Sequence, residues 1–193
     1  MKENLDEKVI DALQECLKQQ TLFTISLRDI AKVAEVSHQK MLYHYKNREG
    51  IIHLYTEYVK DWLLEECLDW FNNHNRKEEE SSLSYLNRFM NYVTVFSKEQ
   101  TYQNATIQVY VMGQYDQEVA IMIQKIYHEW KKEMAELLEK KVGVTSKQLT
   151  ETMMIMICGT FLCNYNNLLS LGEQQNSIDS LSELTKERHE YHE

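Results

Sequence analysis

Apolar residues recur three and four positions apart along almost the whole chain, the spacing of amphipathic helices. Val9, Leu13, Cys16 and Leu17 share one face of a first helix that the pattern carries to about Gln20. Ser26 opens a short second helix, LRDIAKVA, with Asp29 three residues on as a shortened capping-box partner. Ser37 is the N-cap candidate of a third helix. Asn47 is that of a long fourth, running through Trp62, Leu63 and Trp70 to about Asn75. The segment NNHNRKEEESS is the best linker candidate, because it is too polar to be buried. Beyond it the spacing predicts helices near 82–98, 102–113, 116–142, 146–171 and 175–190. Gly143 and Gly172 follow helical runs, where a left-handed C-terminal cap would want glycine. The expectation is an all-α chain of about nine helices with no internal repeat.

Composition agrees. The 193 residues include no proline and only five glycines, too few for the frequent turns of a β-rich fold. The net charge of −9 taken alone argues against a nucleic-acid partner, but its distribution reverses that. Residues 1–50 are neutral overall, residues 26–50 carry +2, and the whole −9 falls on 51–193. The four cysteines, Cys16, Cys67, Cys158 and Cys163, show no CxxC spacing. Cys158 and Cys163 lie roughly 140° apart around one helix, cannot pair locally, and read as small buried apolar residues. The charged start MKENLDEK is unlike a signal peptide, and the longest apolar run, Met153 to Cys163, is far short of the ~20 residues that span a membrane. The expected setting is cytoplasmic, with no membrane role.

Two short helices joined by a three-residue turn, after a longer helix, describe a helix-turn-helix. Leu27, Ile30, Ala31, Ala34, Val36, Met41 and Tyr45 can pack beneath it, with the alanines where helices must cross closely. From Ser26 to Ile51 the chain resembles, without a gap, the N-terminal domain of the TetR family of bacterial transcriptional regulators. The matching positions are Ser26, Ile30, Ala31, Ala34, Val36, Ser37, Met41, His44, Tyr45, Arg48, Glu49 and Ile51. Glu35 and Thr21 stand where that family usually has glycine, at positions that tend to want positive φ. Leu42 stands where it usually has a phosphate-binding tyrosine. The resemblance implies an N-terminal three-helix DNA-binding domain over 1–47 and a larger helical bundle over 48–193 for ligand binding and dimerisation.

In such a motif the start of the second helix enters the major groove. Here its first turn is His38, Gln39 and Lys40, with none of the acids a helix N-terminus favours. Gln39 can pair bidentately with adenine and Lys40 can reach guanine O6 and N7. Ser26, Arg28, Ser37, Tyr43, His44, Lys46 and Arg48 are the remaining candidates for the DNA surface, chiefly for phosphates. The plain alternative is a set of ordinary solvated side chains on a helical domain, and the rival function is a helical interaction module whose helix-turn-helix binds protein.

No catalytic motif or phosphate loop appears, and an enzyme is not expected. His38, His44 and His53, and the pair His189 and His192, lack accompanying ligands at firm spacing, so neither a metal site nor any cofactor is expected. In TetR-like regulators the C-terminal region surrounds an effector pocket. Tyr92, Phe96, Tyr110, Tyr127, Trp130, Met153 and Phe161 are the apolar candidates for it here, and Asn104, Gln108 and Asn164 the polar ones. For most of these the alternative is simple core packing. The last two helices resemble the family's dimerising pair, with Met156, Cys158, Gly159, Thr160, Cys163, Leu181 and Leu184 as interface candidates, unless the same face packs within the chain. The implied partners are a double-stranded DNA operator, a second copy of the chain, and a small-molecule effector. Repression relieved by the effector is the usual family mode; an activator, or a helical interaction module without an effector, shares the same fold.

Overall fold

The computed structural model describes residues 4–99 and 102–190, with side chains described for 4–96 and 106–180. Among them the chain is helical, with no strand. The order is α1 (Leu5–Leu17), α2 (Leu27–Val33), α3 (His38–Tyr45), α4 (Arg48–Asn73), α5 (Ser82–Glu99), α6 (Tyr102–Met112), α7 (Gln117–Val142), α8 (Lys147–Asn166) and α9 (Leu171–Glu190).

Two compact units emerge. One comprises residues 1–64 and 101–130, the other 65–100 and 131–193, so α4 and α7 each lend residues to both. In the first unit Val9, Ile10, Leu13 and Cys16 of α1 are buried with Leu22, Ile25, Ile30, Ala31 and Ala34. Met41 and Tyr45 of α3 and Ile51, Ile52 and Tyr55 of α4 complete that core. α1 packs on α2, and α2 on α3. In the second unit α5 packs against both α8 and α9. Its centre is Trp70, whose ring stacks on His74 at 4.8 Å and meets Phe71, Tyr85 and Phe89 within 5.1–5.5 Å. Arg88 lies over Trp70 and Tyr85 and pairs with Glu80 at 2.9 Å.

The helix ends explain where the sequence reading held and where it failed. Ser26 and Asp29 form the expected capping box, Ser37 caps α3, and Asn47 accepts the Gly50 N–H at 3.0 Å. Gly143 is left-handed (φ 76°) after α7, as expected. α8, however, stops at Asn166 rather than near 171. Asn167 takes the left-handed conformation (φ 51°), and the Leu168 N–H returns to the Cys163 carbonyl at 2.9 Å. Ser170 and Glu173 then cap α9 reciprocally, which places Gly172 inside the first turn of α9 and not at a helix end. The polar stretch around 74–80 is not a loose linker. Arg76 donates to Glu80 O and to Ser82, and Arg88 donates to Asn75 O, which folds the stretch back on α5.

Candidate nucleic-acid interface

The register of α3 decides what the first unit can offer. Met41 and Tyr45, four apart, point into the core and are 0% and 9% exposed. The opposite face carries Gln39, Lys40, Leu42, Tyr43 and His44, all exposed, with Tyr43 at 84%; His38 is half-buried. Arg28 on α2 and Lys46 just after α3 are exposed as well. Ser26 and Ser37 act first as caps, accepting from the Asp29 and Lys40 amides at 3.2 Å. The Ser26 hydroxyl and amide in turn hold the Asp29 carboxyl below its ordinary range.

Both ends of α3 are backbone-limited. Glu35 is left-handed (φ 54°), and the Val36 N–H reaches Ala31 O at 3.0 Å, a helix ending that usually falls to glycine. Thr21, the other position where glycine was expected, is not among the positive-φ residues. It starts a tight turn that takes the Thr24 and Ile25 amides at 3.0 and 3.1 Å, so the junction is drawn differently. After α3, Lys46 sits at φ 62°, ψ −56°, with the Asn47 N–H on Tyr45 O at 2.7 Å. That is a γ-turn of the strained, positive-φ kind. A Cβ on Gly50 would lie 2.1 Å from the Tyr45 carbonyl oxygen, so glycine is what lets α4 start this close to α3.

Three side chains tie this unit together, none of which sequence spacing could assign. The Tyr45 hydroxyl donates to Asp6 of α1 at 2.6 Å, and burial together with that carboxylate drives the phenol pKa upward. Arg48 donates to the Phe23 carbonyl at 3.0 Å, so one arm of this expected phosphate ligand is already used inside the protein. Gln108 of α6 accepts the N–H of Leu22. Among the described residues no group of three or more His, Cys, Asp or Glu could hold a metal ion, and no helix is long and apolar enough to cross a membrane.

No family model and no curated protein matches the sequence. Solved structures do match the fold. GusR of Salmonella enterica superposes with a TM-score of 0.66 at 14% identity, covering 94% of this chain and 95% of that one. FadR of Bacillus subtilis, in complex with stearoyl-CoA, gives 0.63 at 17% identity over 92% and 96%. The TetR family repressor AlkX from Dietzia sp., implicated in n-alkane biodegradation, gives 0.59 at 14% over 94% and 95%. The fold is that of the TetR regulators.

Within this TetR fold the expected effector residues divide between the two units. Asn104, Gln108, Tyr110, Tyr127 and Trp130 belong to the first unit; Tyr92, Phe96, Met153, Phe161 and Asn164 belong to the second. Two of the polar ones have structural partners. Gln108 holds Leu22, and Asn164 donates to Thr94 O at 3.1 Å while accepting from Gln174 at 2.8 Å. Tyr92 donates to Glu66 and stacks on Phe96, and burial pushes its phenol up to about 12. Trp130, Met153 and Phe161 are buried, Tyr127 is half-buried, and Tyr110 is 38% exposed. The buried Trp130 Nε1–H has no hydrogen-bond acceptor among the described residues. The side chains of Asn104, Leu181 and Leu184 lie outside the described residues.

The dimerisation candidates on α8 are only partly outward. Thr160 is buried, and Met156, Cys158, Gly159 and Cys163 are half-buried; burial pushes the Cys158 thiol up to about 11. The open stripe on the same helix is Ile155 (67% exposed), Gly159 and Leu162 (46%), with nothing within 4 Å of a Cβ built on Gly159. Ile155 and Leu162 escaped the sequence reading because residues 153–163 of α8 are almost all apolar, and periodicity cannot then separate core from surface.

Proposed function

We propose that the protein is a homodimeric, TetR-type transcriptional regulator. Residues 1–47 bind a double-stranded DNA operator, and residues 48–193 dimerise and bind a small-molecule effector that relieves repression. The observation that carries this reading is the outward face of α3. Gln39, Lys40, Tyr43 and His44 stand exposed and acid-free on a helix whose other face is locked into the core. They do so in a chain whose −9 net charge lies elsewhere. A solvated helix face has no need to keep acids from its N-terminus, whereas a face meeting phosphates and base edges does. Gln39 and Lys40 would read bases, and His38 would flank them. Arg28, Tyr43, His44, Lys46 and the free arm of Arg48 would meet phosphates, with the Ser26 and Ser37 caps presenting their helix starts to the backbone. Leu42, exposed where the family usually has tyrosine, would contribute only apolar contact.

Dimerisation through α8 and α9 is supported by the open stripe of Ile155, Gly159 and Leu162, where the missing side chain allows a second helix close approach. Two copies would place the α3 helices about one turn of DNA apart, and an effector would act by preferring one separation. Stearoyl-CoA in the FadR neighbour supports an effector with a large apolar part. The unmet Trp130 N–H is suited to an acceptor on such a ligand. The setting is cytoplasmic, without membrane, metal or cofactor.

Selection of bound duplexes from a random library tests the DNA role. The expected product is a two-fold symmetric site with half-sites about one helical turn apart. Enrichment of no sequence at low salt would instead favour a helical module that binds protein.

A further inference from the structure

The turn between α1 and α2, residues 21–25, is held by polar side chains from two other helices at adjacent backbone groups. Its Leu22 N–H goes to the amide oxygen of Gln108 on α6, and its Phe23 carbonyl takes the Arg48 guanidinium from the start of α4. Within the turn the Thr24 and Ile25 amides close on Thr21 O, while the Leu22 amide has Gln108 as its partner. Leu22 and Ile25 are both 2% exposed, so the turn is anchored by apolar packing as well as by these bonds. Ser26, the next residue, caps α2. α6, eighty-six residues away in sequence, therefore has a direct hold on the segment that starts the helix-turn-helix.

We propose that Gln108 is a positioning residue that ties α6 to the 21–25 turn, so that displacement of α6 is transmitted to α2 and α3 by this bond. This rests on the regulator reading above and adds to it a specific route of control. A glutamine suits the task. Its amide oxygen satisfies an N–H that would otherwise be stranded beside buried Leu22, and its bond breaks when α6 shifts by more than a fraction of hydrogen-bond reach. Arg48 holds the other side of the turn, so the turn can follow α6 only by loosening from α4.

The test compares the full-length chain with Gln108→Leu, which keeps bulk and removes the acceptor, and Gln108→Glu, which keeps an acceptor. Far-UV circular dichroism checks that each folds. Two readouts follow, amide exchange across residues 18–46 and affinity for the library-selected duplex. Expected for Gln108→Leu is roughly tenfold faster exchange at Leu22, spreading into α2, with duplex affinity changed by about threefold or more. Gln108→Glu should stay within about twofold on both. A role in stability alone would alter exchange but leave affinity of the folded protein unchanged, and that result would overturn the proposal. So would unchanged protection of Leu22. If the wild-type chain selects no duplex, the regulator reading fails separately. Exchange then decides the tie by itself: loosening that spreads into α2 and α3 upholds it, and loosening confined to Leu22 overturns it.

Discussion

Glu35 shows what a single residue in the wrong backbone region costs. A left-handed φ of 54° is open to glycine without penalty, but it pushes the Cβ of any other residue toward its own carbonyl. Glu35→Gly should therefore raise stability by about 1 kcal/mol, read as a higher urea midpoint at unchanged slope. No gain would mean that Glu35 has a stabilising partner that offsets the strain. Lys46 is strained in the same sense, in a γ-turn next to the face proposed for DNA. Strain kept at such a site is what a functional constraint would leave behind. Gly50 is the opposite case: a residue that can only be glycine, because the Tyr45 carbonyl occupies the space of its Cβ.

At the scale of elements, most of the helices were legible because they carry a 3.6-residue apolar stripe or a clear cap. Their ends were less so. The same left-handed stop appears as Glu35 and Asn167, where no glycine announces it. Gly172 suggested a stop and lies instead behind the Ser170–Glu173 cap. The outward face of α3 was legible too, since Ser37, Met41 and Tyr45 fix the register. The ties made by Arg48 and Gln108 were not, because each joins residues far apart in sequence whose meeting depends on the folded chain. The reading roles proposed for α3 separate by substitution. Gln39→Ala or Lys40→Ala should relax sequence preference, with about 1–3 kcal/mol lost on the selected site and little on random duplex. Arg48→Ala should weaken all sequences alike. Equal losses on both kinds of DNA from all three would remove the distinction.

The caps also set an acid limit. Asp29 and Glu173 are held below the ordinary carboxylate range by the Ser26 and Ser170 hydroxyls and amides, and Glu80 by the hydrogen bond from Arg88. A folded pKa below the unfolded one means the unfolded chain binds the proton more readily. This stability is complete above the ordinary carboxylate pKa of about 4 and is lost as pH falls through the depressed folded values. Urea midpoints should decline from pH 5 to pH 3, and less steeply in Ser170→Ala. An identical decline in that variant would assign the acid sensitivity elsewhere.

For the whole molecule, the proposed function rests on two copies acting together. Ile155 and Leu162 lie exposed on α8 beside Gly159, and a charge there would have to be buried in a dimer. Ile155→Glu should raise the dimer dissociation constant about 30-fold or more by sedimentation equilibrium, leaving helix content intact. A wild-type chain that is monomeric at micromolar concentration would contradict the dimer. The separation of charge bears on the proposal at this scale as well: the acidic 51–193 stretch would repel DNA, which would leave the net-positive 26–50 stretch as the surface to approach it. The most direct test of the proposed regulatory role is the affinity of the wild-type protein for its library-selected duplex, measured across salt concentration. A linear fall of log K with log salt, at a slope of several units and steeper than about −4, is expected for phosphate contacts from two copies. A flat dependence, or no duplex bound at low salt, would contradict it.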